Sequence, residues 1–198
     1  MGVTLTYQEG QTPLDDDEKE GLLMKTITTQ GELNEAEQLN IESAVEWTLR
    51  RKFREADIIS EAFVAQLHKK MYGEVWRWAG KFRKSNKNIG VDKFQIPLEL
   101  RNLINDTQFW IANKTFAEDE LSVRFKHRIV SIHCFANGNG RHSRLMADII
   151  ISHIFGKPVF SWSNQNLVKK GDARANYLSA LHAADSGNLN PLIHFARS

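Results

Sequence analysis

Residues 132–144, IHCFANGNGRHSR, bring together side chains that suit phosphate chemistry. The Asn-Gly-Asn-Gly run can take positive φ at its glycines, so its successive N–H groups can form a concave anion site. Arg141 and Arg144 follow on one side of a helix that restarts near Gly140, and guanidinium groups bind phosphate oxygens well. His133, just before the turn, could take a proton from a hydroxyl. The combination favours phosphoryl or nucleotidyl transfer, which usually needs a divalent cation.

Each of these features also has an ordinary structural explanation. A single His is more often structural than catalytic. A Gly-Asn-Gly run is usually a turn between helices, and two Arg residues usually form a solvated face. Their coincidence within one short segment is what favours a site.

Helices must position this segment, because apolar residues recur at helical spacing on both sides of it. A capping-box pattern at Thr29 and Glu32 predicts the start of another helix. The predicted helices are 30–52, 58–72, 98–113, 119–132, a helix from about 140 to 156, 172–184 and 188–196.

Strand signals are scarce, so we expect an all-α helical bundle. Residues 81–97 contain five Lys and Arg residues with Asn and Gly turn signals, and they predict an irregular loop or a small β-hairpin. Residues 1–29, with Pro13 and an acidic cluster, predict an irregular arm laid on the surface. Residues 157–170 predict a loop.

The composition limits the class of protein. The 198 residues suit one domain, and a net charge of +2, from 26 basic and 24 acidic residues, gives no bulk reason for nucleic-acid or membrane binding. Cys134 is the single cysteine, so it cannot form an internal disulfide, and a thiolate metal site would need more ligands. We see no leader and no run of about 18 apolar residues, and therefore expect a cytoplasmic protein.

The segment HCFANGNGRHSR resembles the signature of the Fic (filamentation induced by cAMP) family, His-x-Phe-x-(Asp/Glu)-Gly-Asn-Gly-Arg-x-x-Arg. Every specified position matches except the acidic one. EVWRWAGKFR and the C-terminal NYLSALHAADSGNLNPLIHF also look like Fic domains, so the resemblance covers about residues 30–198. Within the family, TPLDDDEKEGL and ELNEAEQLNI resemble the group called mobile mystery protein B.

The resemblance implies a Fic-type helical bundle that transfers AMP from ATP to a Ser, Thr or Tyr hydroxyl of a target protein. His133 corresponds to the general base of the family, and Phe135 to its structural anchor. The nucleotide-binding residues lie in the turn and in the first turns of the next helix: Gly138, Asn139 and Gly140 around the α- and β-phosphates, Arg141 and Arg144 at the β- and γ-phosphates.

The resemblance also assigns roles outside the motif. Residues 81–97 correspond to a flap that pairs with the target's backbone by strand addition; a solvated basic surface is the alternative. Tyr177 and Asn176 are expected next to the adenine.

Asn137 departs from the family pattern, in which an acidic residue holds Mg²⁺. An amide offers an oxygen to Mg²⁺ or Mn²⁺, directly or through water, but lacks the charge. We therefore expect weaker metal binding, or reliance on the triphosphate for ligands.

Many Fic proteins carry an inhibitory helix whose Glu pairs with the last motif arginine, in the pattern (Ser/Thr)-x-x-x-Glu-(Gly/Asn). Helix 30–52 offers Leu33-x-x-x-Glu37-Gln38, in which only the Glu matches that pattern. The hypothesis is that Glu37 faces Arg144 and takes the place of a phosphate. Glu35 is a second candidate for this role. The alternative interpretation of Glu37 is an ordinary charge on the solvent-facing side of the helix.

Two other functions compete with AMP transfer: transfer of another phosphate-containing group, and a regulatory or binding module with a weakened site, motivated by Asn137. The sequence leaves open the target protein, the oligomeric state and a regulatory partner chain. The mobile-element association of the resembled group implies a toxin-like or regulatory role in bacteria.

Overall fold

The computed structural model describes residues 12–164 and 172–198, and the predicted all-α fold is confirmed there. A π-helical turn, Ile150–Ile154, continues the seventh helix. None of the helices in these ranges has the length and apolar character needed to cross a bilayer. The helices are α1 (Asp16–Lys19), α2 (Gln30–Leu49), α3 (Glu55–Ile58), α4 (Glu61–Tyr72), α5 (Ile96–Asn113), α6 (Glu118–Ile132), α7 (Asn139–Ile149), α8 (Asp172–Asp185) and α9 (Asn190–Arg197).

The helix ends follow local capping chemistry. Thr29 accepts a hydrogen bond from the backbone N–H of Glu32 at 3.2 Å, and the Glu32 carboxylate accepts the N–H of Thr29 at 3.0 Å, so the capping box is confirmed. Ser60 accepts the N–H of Phe63 at 3.1 Å. α4 therefore starts after Ser60, slightly later than its spacing predicted.

The core fixes the turn between α6 and α7 from several directions. α6 packs between α5 and α7, while α4 packs against both α2 and α7. Leu67, Phe125 and Phe135 are fully buried where these helices meet. A second apolar cluster joins α8 and α9 to α6 and the end of α7. The residues between α6 and α7 are thereby held against rigid elements.

The predicted β-hairpin at 81–97 is wrong, and the alternative of an irregular loop is correct. The segment is a series of bends and turns up to Ile96, which already begins α5, with Pro97 in its first turn. In the described ranges only isolated bridges occur, and one of them pairs Phe82 with Phe135. The flap therefore pairs with the motif rather than with itself.

The side chain of Arg83 explains the irregular path of the flap. Its guanidinium donates to the carbonyl of Ser85 at 2.8 Å, to that of Val91, and to that of His133 at 2.7 Å. A buried guanidinium that satisfies several carbonyls replaces the ladder bonds of a hairpin. It also ties both limbs of the flap to the end of α6.

The described part of the arm, residues 12–29, lies on the helical body. It contains α1, and its Leu14, Leu22 and Ile27 side chains are buried in the main core. The Leu23 N–H donates to the carbonyl of Val75 at 2.9 Å. The arm is more regular than predicted because an acidic capping box starts α1. Residues 1–11 lie outside the described ranges, as do residues 165–170 of the predicted loop.

Candidate active site

His133 ends α6 in a left-handed backbone conformation. Its φ is +57°, which is uncommon for a residue other than glycine. The hydrogen bond from Arg83 to the His133 carbonyl holds this conformation. The ring is buried, and its Nε2 lies 3.1 Å from Oγ1 of Thr12. The end of α6 therefore aims an imidazole at a hydroxyl.

The environment of His133 keeps its imidazole neutral. Burial lowers the pKa of His133 from 6.5 to about 4, and the cations of Arg83 and Lys87 act in the same direction. A neutral imidazole is the form that can accept a proton near pH 7. The charge state thus suits a general base.

Two polar side chains hold the loop between α6 and α7. Asn139 accepts the N–H of Phe135 at 3.0 Å and donates to its carbonyl at 2.8 Å. His68 accepts the N–H of Gly80 at Nδ1, so its Nε2 carries the proton and donates to the Asn137 carbonyl at 3.0 Å. The side chain of Asn139 is therefore a clamp on the loop, and only its backbone can meet a phosphate.

The two glycines of the motif differ in conformation. Gly138 has a φ of +79°, and a Cβ there would lie 2.5 Å from the ring of Tyr72. Positive φ and close approach both require glycine at this position. Gly140 lies in the first turn of α7, its φ is not positive, and a Cβ would meet nothing within 4 Å. The expectation of two glycines with positive φ therefore holds only for Gly138.

The start of α7 presents the backbone groups on which the expected anion site depends. Its first N–H groups have no intrahelical partner, and its first turn contains no acidic residue, so the helix dipole is uncompensated by sequence. The N–H of Gly138 donates to Oδ1 of Asn137 at 2.6 Å. The geometry is suited to a phosphate group.

A cavity of about 550 Å³ opens in front of this helix start. Its wall is formed by the arm, the flap and the helices α2, α6, α7 and α8. The site residues predicted from sequence that line it are Glu37, His133, Asn137, Gly138, Asn139, Gly140, Arg141, Arg144 and Tyr177. The structure therefore brings nearly all of them to one space.

α8 brings Tyr177, but not Asn176, to the cavity. Tyr177 is buried, and its ring lies 5.5 Å from the guanidinium of Arg144 and 4.7 Å from the ammonium of Lys126. Asn176 is exposed and does not belong to the cavity wall formed by the described residues. Adjacent residues of a helix point in different directions, so α8 turns only one of the two expected adenine neighbours, Tyr177, toward the cavity.

Glu37 reaches the site from α2, but its partner is Arg141 rather than the predicted Arg144. One carboxylate oxygen lies 2.8 Å from Arg141, and the other accepts the indole N–H of Trp76 at 2.7 Å. Glu37 is 6% exposed, so the bland alternative of a solvated charge does not describe it. The guanidinium of Arg144 lies over Tyr177, and no carboxylate in the described ranges forms an ion pair with it.

Asn137, the expected metal contact, already has hydrogen-bond partners at both ends of its amide. Its Oδ1 accepts from Gly138, and Nδ2 donates to the carbonyl of Thr12 at 3.1 Å. Across 12–164 and 172–198, no group of three or more His, Cys, Asp or Glu side chains is placed to hold a metal ion. A neutral amide whose oxygen already accepts a hydrogen bond is a weaker ligand for a hard cation such as Mg²⁺ than a carboxylate.

Three residues that shape the site were not among those predicted from sequence: Thr12, His68 and Arg83. His68 lies on the buried face of α4, where a polar residue among apolar ones signals a hydrogen-bonded role. Arg83 is one of several basic flap residues, and no local signal distinguishes it. Thr12 precedes a proline in the arm, and only the tertiary fold brings it to His133.

Comparison with known proteins agrees with this geometry. Residues 58–151 match the family model described as the Fic/DOC family. This range runs from the end of α3 into the π-helical turn after α7. It therefore contains residues 81–97, His133 and the start of α7.

Two curated relatives extend the sequence match. Protein adenylyltransferase Fic of Aedes aegypti is 25% identical over 163 residues, which are 80% of this chain and 31% of the relative. Protein adenylyltransferase fic-1 of Caenorhabditis elegans is 25% identical over 146 residues, 72% of this chain and 27% of the relative. The chain spans about a third of the length of these relatives.

Solved structures share the fold. Fic-1 from Caenorhabditis elegans has a TM-score of 0.63 at 22% identity, with 80% of this chain and 46% of that one covered. BepC from Bartonella tribocorum, solved with bound AMPPNP, has a TM-score of 0.69 at 16% identity, with 92% and 97% covered. Residues 58–151 thus match the Fic/DOC family model, and the fold built around them is the one that solved Fic structures share.

Proposed function

We propose that the chain is a protein adenylyltransferase, which transfers AMP from ATP to a Ser, Thr or Tyr hydroxyl of a target protein. The observation that carries the proposal is the convergence on one cavity of a buried neutral imidazole, a helix N-terminus and two guanidinium groups. Two relatives of this chain are named protein adenylyltransferases. Both lines of support point to the same reaction class.

The α- and β-phosphates of ATP bind at the start of α7. The N–H groups of Gly138, Asn139 and Gly140 face them, and the helix dipole favours their charge. To reach the N–H of Gly138, ATP displaces the amide oxygen of Asn137 that accepts it here. Phosphate binding therefore exchanges one hydrogen bond for a charge-assisted one.

The rest of the nucleotide is held by side chains. Arg141 and Arg144 bind the β- and γ-phosphates, because both line the cavity beside the helix start. Tyr177 provides an aromatic wall for the adenine. Asn176, which is exposed, contacts the adenine only if α8 shifts, so we assign it no role in this conformation.

His133 activates the acceptor hydroxyl. Its neutral imidazole takes the hydroxyl proton while the hydroxyl oxygen attacks the α-phosphorus of ATP. The bond from that phosphorus to the bridging oxygen of pyrophosphate breaks. The charge that develops on the phosphates is stabilised by N–H groups and guanidinium groups already in place.

A divalent cation, Mg²⁺ or Mn²⁺, would be held mainly by the triphosphate oxygens of ATP, which are suitable ligands. Asn137 would contribute a weak or water-mediated contact, because its amide is neutral and already hydrogen-bonded. When bound, the cation would supply positive charge that neutralises the phosphates.

The flap is the docking place for the target. Ile89 and Phe94 are 46% and 83% exposed, although both are large and apolar. A Cβ at Gly90 would lie 2.6 Å from Cβ of His133, so the flap backbone passes directly over the base. A target segment bound along the flap would present its hydroxyl to His133.

Glu37 restrains the enzyme by occupying Arg141. Its carboxylate takes a position at the guanidinium that a phosphate oxygen needs. ATP must break this ion pair before its phosphates bind productively. The restraint is therefore built into α2, and removing the carboxylate should release it.

Incubation with ATP labelled on the α-phosphate, Mg²⁺ or Mn²⁺, and cell lysate tests the proposed function. The expected result is labelled protein that is lost with His133→Ala and increased with Glu37→Gly. Parallel reactions use ATP labelled on the γ-phosphate.

The alternatives predict different labels. Transfer of a phosphoryl group would label protein from the γ-phosphate and not from the α-phosphate. A binding or regulatory module would leave protein unlabelled in both reactions, even with Glu37→Gly. Either result would refute adenylyl transfer.

A further inference from the structure

The arm brings a threonine hydroxyl into the active site. Thr12 is 5% exposed, and its Oγ1 lies 3.1 Å from Nε2 of His133. This distance is within reach for proton transfer from a hydroxyl to a base. Thr12 also lines the cavity in front of α7. Its oxygen therefore faces both the base and the anion site.

The contacts of the arm hold Thr12 in this place. Asn137 donates to the Thr12 carbonyl at 3.1 Å. On the flap, Lys87 pairs with Asp15 at 2.9 Å and with Glu18 at 2.5 Å, and its own side chain is only 3% exposed. The pair with Glu18, which is 13% exposed, is shielded from water and is screened less than a surface pair, whereas Asp15 is 49% exposed. The flap thus binds the arm where the proposed function places a target.

The backbone around Thr12 resembles a bound acceptor segment. Pro13 disfavours helical geometry at the residue before it, and Thr12 lies outside the helices. Asp15 is extended, and α1 begins only after it. A short extended segment with a hydroxyl is what the flap and His133 would act on.

We infer that Thr12 is itself an acceptor of AMP, modified intramolecularly; this inference rests on the proposed function. Oγ1 of Thr12 bonds to the α-phosphorus of ATP, and His133 takes the hydroxyl proton. The bond between that phosphorus and the bridging oxygen breaks, and pyrophosphate leaves with the electron pair. The product is an arm that carries AMP in phosphodiester linkage at Thr12.

The test uses the full chain with Glu37→Gly, which removes the competing carboxylate. After incubation with ATP and Mg²⁺ or Mn²⁺, peptide mapping by mass spectrometry locates AMP. The expected result is up to one AMP per chain, on Thr12, retained with Thr12→Ser and lost with Thr12→Val or His133→Ala. Thr26→Val, an exposed threonine of the same arm, is the matched control and should keep the modification on Thr12.

A mixing experiment tests whether the transfer is intramolecular. A tagged His133→Ala chain, which still has Thr12, is incubated with an untagged Glu37→Gly chain that also carries Thr12→Val. Intramolecular transfer predicts that Thr12 of the tagged chain stays unmodified. AMP on that residue would overturn the intramolecular assignment.

Failure of this inference and failure of the proposed function give different results. AMP on lysate proteins, or on other residues of the chain, with an unmodified Thr12 overturns the inference and leaves the function standing. No AMP on any protein overturns both. Glu37→Gln, which keeps the size of the side chain, replaces Glu37→Gly where circular dichroism shows that the glycine variant is unfolded.

Discussion

Glu37 uses its two carboxylate oxygens for different purposes. One accepts from the indole of Trp76, which fixes the side chain, and the other pairs with Arg141. A carboxylate fixed in this way loses little further entropy when it pairs, so the ion pair competes well with a phosphate. At the scale of one residue, we expect Glu37 to act mainly on ATP binding.

Replacing Glu37 with Gly should lower the KM for ATP about tenfold or more. A charge-assisted hydrogen bond is worth about 1.5–3 kcal/mol, and it would no longer oppose phosphate binding. Initial rates of AMP incorporation against ATP concentration measure this. Glu35→Gly, at an exposed position of the same helix, carries the same helix-propensity penalty and should leave the KM unchanged. Equal shifts in both variants would contradict an inhibitory role for Glu37.

Asn137→Asp should lower the concentration of Mg²⁺ or Mn²⁺ that gives half-maximal activity, by several fold. The substitution supplies a charged oxygen, which hard cations prefer to an amide. Titration of the cation at fixed ATP measures the effect. Asn137→Ala loses the same hydrogen bond to Thr12 without gaining a ligand, so it should not lower that concentration. If Asn137→Ala also lowers the half-maximal cation concentration, the effect comes from the lost hydrogen bond to the arm and not from a new metal ligand.

At this scale the sequence predicted which residues of one short segment the fold would hold together. His133, Gly138 and the arginines lie close together in the chain, so their spacing carries their geometry. The partner of Glu37 was wrong because it depends on how α2 packs across α4, and no local pattern encodes that register. Thr12 was missed for the same reason, since a distant segment brings it to the base.

At the scale of elements, the turn between α6 and α7 depends on one glycine. Gly138→Ala should lower the free energy of unfolding by about 2 kcal/mol or more, because positive φ and the ring of Tyr72 both oppose a Cβ. Urea denaturation measures it. Gly140→Ala, where a Cβ meets open space in a helix, should be neutral or stabilising by up to about 1 kcal/mol. Similar losses in both variants would refute this account of the turn.

The elements themselves follow from periodicity and capping, but the flap does not. Turn residues and alternation in the flap suggested a hairpin, yet Arg83 draws its carbonyls inward and Phe82 pairs with Phe135. Such a path is dictated by one buried guanidinium and a distant partner. Local sequence therefore predicted that the flap exists, but not its internal structure.

At the scale of the whole molecule, buried histidines should make the fold sensitive to mild acid. Burial lowers the pKa of His133 and of His142 from 6.5 to about 4, and that of His68 well below 6.5. Between about pH 4 and pH 6.5, these histidines are protonated in the unfolded chain but not in the folded one. The free energy of unfolding should therefore fall as pH decreases from about 6.5 to about 4, by about 1.4 kcal/mol per pKa unit and group at most. Urea denaturation at pH 7, 6 and 5 tests it, and a constant value would contradict it.

Asp148 opposes this trend. Burial raises its pKa from 3.8 to about 7, so the folded chain binds the extra proton and gains stability as pH falls through that range. Asp148→Asn removes this compensation. The variant should therefore lose stability more steeply than the original chain between pH 7 and pH 5. A shallower loss in denaturation curves would show that Asp148 does not titrate there.

The hydrogen bond from Trp76 to Glu37 gives the molecule an optical reporter of its own. The indole is buried and stacks on Trp78 at 5.0 Å, so its emission depends on the polarity of this small region. When a nucleotide takes Arg141 from Glu37, the charge beside the indole moves. Tryptophan fluorescence should then change with ATP concentration in the original chain and stay constant with Trp76→Phe. Release of the restraint could thus be followed in real time, without a label and before any chemistry occurs.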